Sequence, residues 1–273
     1  MTQIITRHRH ELKRRTLTVA EAFQLTPHML RIVFNGEDLA DFTSLAPDDH
    51  VKLLFPGAGD KPEMRDYTPR AFDRAARRLT VDFALHETGV ATDWARQAKP
   101  GDILQIGGPR GSAVIAPIFD WWLLIGDETA LPAIGRQVEE LPAGVEVITL
   151  VAVPGAEDQQ SFATAAQHRA YWVHRAAGTA ADPAALLAAA RQLELPGQGR
   201  GFIWSAAEAK VARALRDHFE TERGQPRHWM KAAGYWSRVR RIRATSRSTE
   251  RGPGDPASAW VATSRRLPRP PLA

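Results

Sequence analysis

The chain has 273 residues, 44% of them hydrophobic and 25% charged, which is the composition of a globular protein long enough for two domains. It contains no cysteine, which excludes disulfides, iron–sulfur clusters and thiolate zinc sites within the chain, so redox chemistry needs a bound cofactor. The formal net charge of +5 arises in residues 237–273, which hold nine arginines and two acidic residues, so the preceding part is slightly acidic.

The sequence shows no pattern that directs a protein to a membrane. Its apolar runs, among them residues 121–125, are far too short to cross a bilayer. The N-terminal stretch carries charges where a signal peptide would be apolar. We therefore expect a cytoplasmic protein that contacts no membrane.

The first half of the chain is rich in short β-segments. Residues 4–15 become strongly basic after the first few positions, which is typical of a solvated arm. Alternating or β-branched segments follow, separated by Gly, Pro, Asn and Asp, at residues 17–19, 29–34, 50–55, 79–86 and 102–106. Strands so close together, with a helix pattern only at 91–98, predict a small antiparallel barrel.

The pattern changes near residue 117. Continuous apolar runs, typical of strands buried on both faces, now alternate with helical patterns, which predicts a parallel sheet. The predicted strands are residues 120–125, 145–153, 171–173, 201–204 and 228–231. The predicted helices are residues 131–141, 183–193 and 207–222.

Residues 65–70, with the sequence Arg-Asp-Tyr-Thr-Pro-Arg, combine two cations, an aromatic ring and a hydroxyl. Arg65 can pair with a phosphate, Tyr67 can lie against a flavin ring or ribityl chain, and Thr68 can offer its hydroxyl to the ring edge. Pro69 favours an extended conformation at Thr68, so Arg65 and Tyr67 share one face of a strand. A ligand on that face would then contact Thr68 through the twist of the backbone, or Thr68 would contact it from the other face. The alternative is an exposed strand end with ordinary charges.

Two turns follow. Gly89 leads through small residues into a helix, so free backbone N–H groups and the hydroxyl of Thr92 can hold a pyrophosphate. The alternative is that Thr92 is a plain N-cap. The turn at 107–112, Gly-Gly-Pro-Arg-Gly-Ser, permits close backbone approach, or is a simple interdomain turn. His86 closes a strand and is interpreted as a structural or cofactor-edge residue.

Residues 126–132, Gly-Asp-Glu-Thr-Ala-Leu-Pro, follow the first apolar strand of the second half, where α/β sheets bind their ligands. They do not form the Gly-x-Gly-x-x-Gly fingerprint. Asp127 and Glu128 lie where a helix N-terminus would attract phosphate, so they complement the helix dipole and repel a pyrophosphate. We therefore expect a well-capped helix and weak binding of any dinucleotide.

Taken in order, these segments resemble the ferredoxin-reductase type of flavoprotein, and more narrowly the siderophore-interacting proteins, which are FAD-dependent ferric-siderophore reductases. The resemblance runs from about residue 12 to residue 236. It is carried by residues 50–53, 65–68, 89–94, 108–112, 126–134 and 234–236. Two departures stand out: Val90 occupies a position where proline is expected, and the chain leaves the family pattern after Trp236.

The resemblance implies an N-terminal antiparallel Greek-key barrel that binds FAD, over residues 12–117, followed by a smaller α/β domain with a parallel sheet, over residues 118–236. The residues that it implies for FAD binding are Arg65, Tyr67, Thr68, His86, Gly89, Ala91, Thr92 and Trp94. A nicotinamide cofactor, NAD(P)H, would meet the second domain near Asp127 and Thr129.

By the same resemblance, the activity is reduction of ferric siderophores to release Fe(II), with electrons from NAD(P)H or from ferredoxin. The flavin carries the chemistry, so no side chain is expected to be catalytic and no metal site is expected. Ferric siderophores are often anionic, and a basic cleft near the flavin would help to capture them. Lys52 is the first candidate for such a cation and Arg238 is the second.

Two alternative functions stay open. One is a flavin- or siderophore-binding module without efficient turnover. The other is a nucleic-acid binder, which ranks last because the basic tail has Trp260 as its lone aromatic residue and the body is slightly acidic. The tail, residues 237–273, is rich in Arg, Pro, Ser and Ala without periodicity, which is typical of disorder. A shifted reading frame would also produce such a tail.

Overall fold

The structure of the protein is a computed structural model that describes residues 3–57, 61–176 and 178–237. Its β-strands are β1 Ile5–Arg9, β2 Arg14–Thr26, β3 Met29–Asn35, β4 Val51–Phe55, β5 Glu63–Tyr67, β6 Ala71–Asp73, β7 Arg78–Ala84, β8 Ile103–Gly107, β9 Gly111–Ile115, β10 Trp121–Asp127, β11 Glu146–Val153, β12 Gln167–His174, β13 Gly201–Glu208 and β14 Met230–Trp236. Its α-helices are α1 Val90–Gln97, α2 Leu131–Glu140, α3 Ala184–Gln192 and α4 Ala209–Asp217. In this part of the chain, no helix is both long and apolar enough to cross a bilayer.

An antiparallel sheet of seven strands, in the order β5-β4-β8-β2-β3-β7-β6, forms most of the first half. The alternation on β7 places Leu79, Val81 and Phe83 in its buried core. The sheet curls so far that Tyr67 of β5 packs on Phe83 of β7, with ring centroids 4.5 Å apart. We call this curled sheet the barrel. Helix α1 packs against the same core.

A parallel sheet of five strands, in the order β12-β11-β10-β13-β14, forms the second half. Its central strand β10 is apolar at successive positions because both faces are covered. Trp122 and Leu124 pack on the side of α2, whereas Leu123 and Ile125 face α3 and α4. The α/β part, predicted to be the smaller one, has five strands against seven, but its predicted bounds, 118–236, contain more residues than the bounds 12–117 of the barrel.

The prediction of a solvated basic arm over residues 4–15 is wrong. β1 pairs with β9 in a separate antiparallel sheet of two strands. Arg15 is buried in β2, where its guanidinium donates to the main-chain oxygens of Asp38 and Gly108. These partners lie far away in the chain, so the basic composition of the segment gave no sign of them.

The boundary between β13 and α4 also differs from the prediction. β13 continues past the predicted end at residue 204 to Glu208, so the helix begins at Ala209. The last turn of the predicted helix, residues 218–222, is π-helical. Ala206 and its neighbours suit either structure by composition, and burial between β10 and β14 decides in favour of the strand.

The barrel and the parallel sheet meet at a contact zone built on two arginines, one from each side. Arg70 makes two hydrogen bonds, 2.6 and 2.7 Å long, to the carboxylate of Glu139 on α2. Arg136 on α2 donates to the hydroxyl and main-chain oxygen of Ser44 and to the main-chain oxygen of Pro69. Both arginines are buried, and loss of Glu139 would leave the guanidinium of Arg70 without its nearest carboxylate. The zone therefore fixes the end of the segment 65–70 against α2.

Candidate functional site

Strand β5 presents two different faces. Tyr67 lies opposite the buried Val51 of β4. Arg65 lies opposite Leu53 of the same strand. Directly opposite residues of an antiparallel pair share a face, so Arg65 and Tyr67 lie on one face, as the alternation predicts. Asp66, between them, points the other way.

Arg65 is exposed at the rim of the barrel. Its guanidinium donates to the carboxylate of Glu63 at 2.8 Å and to the main-chain oxygen of Met64 at 2.9 Å. The ion pair is half-exposed on both sides, and such pairs contribute little in water. The guanidinium can therefore exchange Glu63 for a ligand phosphate at little cost.

Tyr67 and Thr68 are the enclosed part of the same motif. The ring of Tyr67 packs on Phe83, and burial raises the pKa of the Tyr67 phenol above its ordinary value. Thr68 is buried, and its side chain lies beside the hydroxyl of Tyr235 on β14. The two side chains therefore have fixed positions beside the exposed arginine.

The N-terminus of α1 is open. Its N-cap is Gly89, which has φ of 146°, and no atom lies within 4 Å of the place where a Cβ would be. No side chain caps the helix. The alternative of an N-cap at Thr92 is wrong, because Thr92 lies within the first turn and its hydroxyl accepts from the backbone N–H of His86 at 3.2 Å. The first-turn N–H groups, including that of Ala91, point out of this end.

Trp94, which the resemblance assigns to FAD binding, lies among the aromatic rings of the barrel. Its ring centroid is 6.2 Å from that of Phe34, 5.7 Å from that of Phe55 and 6.0 Å from that of Phe83. Tyr67 packs on the same Phe83. The ring of Phe83 therefore joins the two motifs that were predicted to bind a flavin, the segment on β5 and the turn that leads into α1.

Asp127 ends the central strand β10 and is buried. Its Oδ1 accepts from the N–H and the hydroxyl of Thr129, at 3.0 and 2.5 Å, and its Oδ2 accepts from the indole N–H of Trp236 at 2.9 Å. Burial, and then the charge of Glu128, raise the pKa of Asp127 to about 6. Thus the carboxylate has a set of internal donors at the edge where a ligand was expected.

Glu128 is paired with Arg175, the residue that follows β12. The two side chains are only 9% and 10% exposed. Helix α2 begins at Leu131 and has no acidic residue in its first turn. The expectation that Asp127 and Glu128 complement the helix dipole is therefore wrong. Because these charges have internal partners, their repulsion of a pyrophosphate is weaker than predicted.

The last strand, predicted at residues 228–231, instead begins at Met230 and ends at Trp236. Its register against β13 shifts near the end, because Gly234 lies opposite Ala207 whereas Trp236 lies opposite the very next residue. Tyr235 is the extra residue of this bulge. Regular alternation would send Tyr235 and Trp236 to opposite faces, and the bulge changes their directions.

Both aromatic residues of the bulge reach the barrel. Tyr235 lies beside Thr68, and the ring centroid of Trp236 lies 6.5 Å from that of His86. Sequence reasoning used both residues in the resemblance but assigned neither a role. The bulge depends on the partner strand, so no local pattern indicates it. Arg175 was missed for the same reason, because its partner is remote in the chain.

Lys52, the first of the two cations predicted to bind substrate, is not part of this group. Lys52 lies opposite Asp66, on the face turned away from Tyr67, and donates to the Asp66 carboxylate at 2.8 Å. Both side chains are half-exposed. Arg238 lies outside the described residues.

Comparison with known proteins gives the family. The model of the siderophore-interacting FAD-binding domain matches residues 18–63 and 57–113, and that of the siderophore-interacting protein matches residues 119–239. The NADPH-dependent ferric-chelate reductase of Escherichia coli (strain K12) is 35% identical over 251 residues, which cover 84% of this chain and 95% of that protein. The chain belongs to the siderophore-interacting protein family.

Two other similar proteins support the same family. The ferric vibriobactin reductase ViuB of Vibrio cholerae serotype O1 is 28% identical over 239 residues, which cover 78% of this chain and 86% of that protein. The crystal structure of a siderophore utilization protein from T. fusca superposes with a TM-score of 0.80 at 35% identity, over 86% of this chain and 96% of that one. The predicted fold of this siderophore-interacting protein, an antiparallel FAD-binding part followed by a parallel α/β part, is confirmed.

Proposed function

We propose that this siderophore-interacting protein is an FAD-dependent oxidoreductase that reduces ferric siderophores and releases the iron as Fe(II). One observation carries the proposal. The same part of the barrel holds an exposed guanidinium at Arg65, an enclosed ring and hydroxyl at Tyr67 and Thr68, and an open helix end at Gly89. The names of the two reductases among the relatives support this class of reaction.

The residues present fit FAD. Its pyrophosphate is anionic, and Arg65 and the uncapped first turn of α1 both offer donors that favour an anion. A side chain at Gly89 would occupy the open space beside that turn. We therefore propose that FAD is held by the residues that the resemblance indicates: Arg65, Tyr67, Thr68, His86, Gly89, Ala91, Thr92 and Trp94.

Bound FAD would supply the redox chemistry, accepting two electrons from a donor and passing single electrons to iron. The protein binds and orients it. The hydroxyl of Thr68, which is buried beside Tyr235, would be a hydrogen-bonding group for the flavin ring edge. Tyr67 offers a rigid aromatic face because its ring packs on Phe83. Burial raises the pKa of its phenol, which therefore stays protonated at neutral pH.

We propose that the electron donor is NAD(P)H, which would approach the carboxyl edge of the parallel sheet near Asp127 and Thr129. Both donors of Thr129 are taken by Asp127, and the loop lacks the glycine fingerprint that lets a backbone approach a pyrophosphate. Weak binding of the dinucleotide is the consequence. The name of the Escherichia coli relative favours NADPH. Reduced ferredoxin is the second donor that we propose to test.

Lys52 is the proposed contact for an anionic ferric siderophore. Its partner Asp66 holds it in a half-exposed ion pair, which contributes about 0–1 kcal/mol. An incoming anion can therefore compete with Asp66 for the ammonium group. Arg238 is the second proposed cation, and it lies beyond the described part of the chain.

The two proposed functional domains correspond to the two main sheets. Residues 12–117 would form the FAD-binding domain, and residues 118–236 the domain that meets the nicotinamide and the siderophore. The two family models match on either side of this division. We further propose that the protein works in the cytoplasm, where reduced nicotinamide is available.

A donor titration tests the function. The full-length protein is loaded with FAD, kept anaerobic and titrated with NADPH, NADH or reduced ferredoxin while the flavin absorbance is followed. We expect NADPH to bleach the flavin, and a ferric siderophore to restore it. A protein that binds FAD but accepts electrons from none of the donors would instead be a flavin-binding module. A protein that binds no FAD would refute the proposal.

A further inference from the structure

A hydrogen bond at the carboxyl edge of the parallel sheet joins two strands that are not neighbours. Asp127 ends β10 and Trp236 ends β14, and β13 lies between these strands. Trp236 is opposite Glu208, the last residue of β13. The indole must therefore extend past the end of β13 to donate to Asp127 at 2.9 Å. Such a reach depends on the bulge at Tyr235, which changes the direction of the side chain.

The carboxylate of Asp127 is shared unequally among its donors. Both Thr129 donors use Oδ1, so Oδ2 serves the indole of Trp236. A buried carboxylate holds a donor more strongly than a neutral group does. The neighbouring acid, Glu128, has its own partner in Arg175 and does not compete for the indole.

The other side of the indole faces the barrel. Its ring centroid lies 6.5 Å from that of His86, at an interplanar angle of 43°. The preceding residue, Tyr235, lies beside Thr68. Trp236 therefore lies between Asp127 and His86, one of the residues proposed to hold FAD.

We propose that Asp127 is a positioning residue whose carboxylate holds the indole of Trp236 beside His86, so that the indole forms a fixed wall of the FAD cleft. The role in the cleft rests on the proposed function, whereas the hydrogen bond itself does not. The proposal gives Asp127 a task other than direct contact with the nicotinamide.

The hydrogen bond between Asp127 and Trp236 should depend on pH, because Asp127 can be protonated. Burial and the charge of Glu128 raise the pKa of Asp127 to about 6, so the carboxylate becomes neutral as the pH falls through this value. A neutral carboxyl accepts more weakly, and the hold on Trp236 should loosen at lower pH. The other titratable or charged groups that face this cluster are Glu128, Arg175, His86 and Tyr235, with Asp48 and Asp49 facing Tyr235.

Two substitutions break the hydrogen bond from opposite ends. Asp127→Asn keeps the size of the side chain and its acceptor for Thr129, but it turns an amide N–H toward the indole N–H. Trp236→Phe keeps an aromatic ring and removes the donor. Asp158→Asn is the matched control, because Asp158 is also a buried carboxylate that reaches the barrel, where it accepts from the N–H and ring of His28.

The NMR signal of the Trp236 indole N–H reports directly on its hydrogen bond to Asp127, with or without FAD. The chain has eight tryptophans, and in an indole ¹⁵N spectrum of the full-length protein the signal lost in Trp236→Phe identifies this one. We expect its shift to titrate near pH 6 in the wild type and in Asp158→Asn, because the pKa of Asp127 is raised to about 6. In Asp127→Asn the signal should be displaced, and the part of its pH dependence that comes from Asp127 should be absent. An unchanged signal in Asp127→Asn would overturn the proposal.

The dissociation constant of FAD tests the consequence for the cleft. Asp127→Asn and Trp236→Phe should each raise it about tenfold, since each removes the same charge-assisted hydrogen bond. The double variant should be no weaker than the weaker single variant, because coupled residues are non-additive. Asp158→Asn should leave the constant unchanged. Additive effects on the dissociation constant, or no effect in either single variant, would refute the proposal that Asp127 positions Trp236. Failure of the wild type to bind FAD would refute the proposed function, while the indole titration would still decide on the hold.

Discussion

The two sides of the proposed cofactor cleft differ in whether their polar groups are buried and paired within the protein. On the barrel side, Arg65 is half-exposed and the helix end behind Gly89 has no side-chain cap. On the sheet side, Asp127 is fully bonded within the protein, and Glu128 and Arg175 are buried together. The barrel side can exchange its internal contacts for a ligand at little cost. The sheet side cannot, because its contacts hold the fold together. Substitutions on the two sides should therefore change different quantities.

The largest predicted effect is a loss of stability caused by a substitution on the sheet side. Glu128→Gln leaves the guanidinium of Arg175 buried without its counter-charge, and breaking a buried pair in this way costs about 3–5 kcal/mol. The measurement is the free energy of unfolding in denaturant, followed by tryptophan fluorescence.

The control for this substitution is an exposed ion pair between neighbouring strands of the same sheet. Glu146 pairs with Arg169, and their side chains are 31% and 46% exposed. Glu146→Gln should cost less than about 1 kcal/mol, because exposed pairs contribute little. Equal losses from Glu128→Gln and Glu146→Gln would show that the sheet side is not organised around the buried pair.

The next effect should come from the barrel side, on FAD affinity. Arg65→Ala removes a charge-assisted contact to the pyrophosphate and should weaken FAD binding by about 1.5–3 kcal/mol, with little change in stability. Fluorescence titration of FAD measures the loss. Arg78→Ala is the matched control, because Arg78 is another half-exposed barrel arginine, paired with Glu21. If Arg65→Ala binds FAD as the wild type does, Arg65 does not hold the phosphate.

A backbone substitution sharpens the same comparison. Gly89→Ala forces a Cβ into a conformation that favours glycine and should cost about 1–2 kcal/mol of stability. It should also weaken FAD binding, because the methyl group enters the space beside the open helix end. Gly101→Ala is the control, since Gly101 has φ of 96° and equally open surroundings. Gly101→Ala should be less stable than the wild type but should bind FAD equally well. Equal FAD affinities in Gly89→Ala and Gly101→Ala would show that the pyrophosphate does not lie beside Gly89.

The sequence predicted the parts of this comparison that depend on local pattern. The alternation of Leu79, Val81 and Phe83 indicated a half-buried strand, and the run in β10 indicated a strand covered on both sides. The spacing of Arg65 and Tyr67 placed them on one face, as the pairing with β4 confirms. In each case, the information lies within a few residues.

The sequence could not predict contacts whose partners lie far along the chain. Asp127 and Trp236 are 109 residues apart, and Glu128 and Arg175 are 47 residues apart. The two acids were therefore assigned to a helix dipole, the nearest feature in the sequence. The strand β1 was missed because its pairing with β9 leaves no periodic pattern in a basic segment.

The smallest effect should be at the surface. Lys52→Glu turns an exposed cation beside Asp66 into an anion and should slow the reduction of an anionic ferric siderophore without changing the FAD content. The slowing should fade as salt rises, because exposed charges are screened beyond roughly 8–10 Å at physiological ionic strength. Stopped-flow rates at low and high salt measure it. Lys99→Glu makes the same change in net charge elsewhere on the surface, and equal slowing in both variants would show that Lys52 has no special role.

Iron release from the reduced protein tests the central claim most directly. The full-length protein is loaded with FAD, reduced anaerobically with NADPH, freed of excess donor and mixed with a ferric siderophore and a chelator specific for Fe(II). The account predicts that the flavin is reoxidised as Fe(II) forms, with about two irons reduced for each two-electron-reduced flavin. A flavin that stays reduced in the presence of the ferric siderophore, or one that is reoxidised without forming Fe(II), would contradict it.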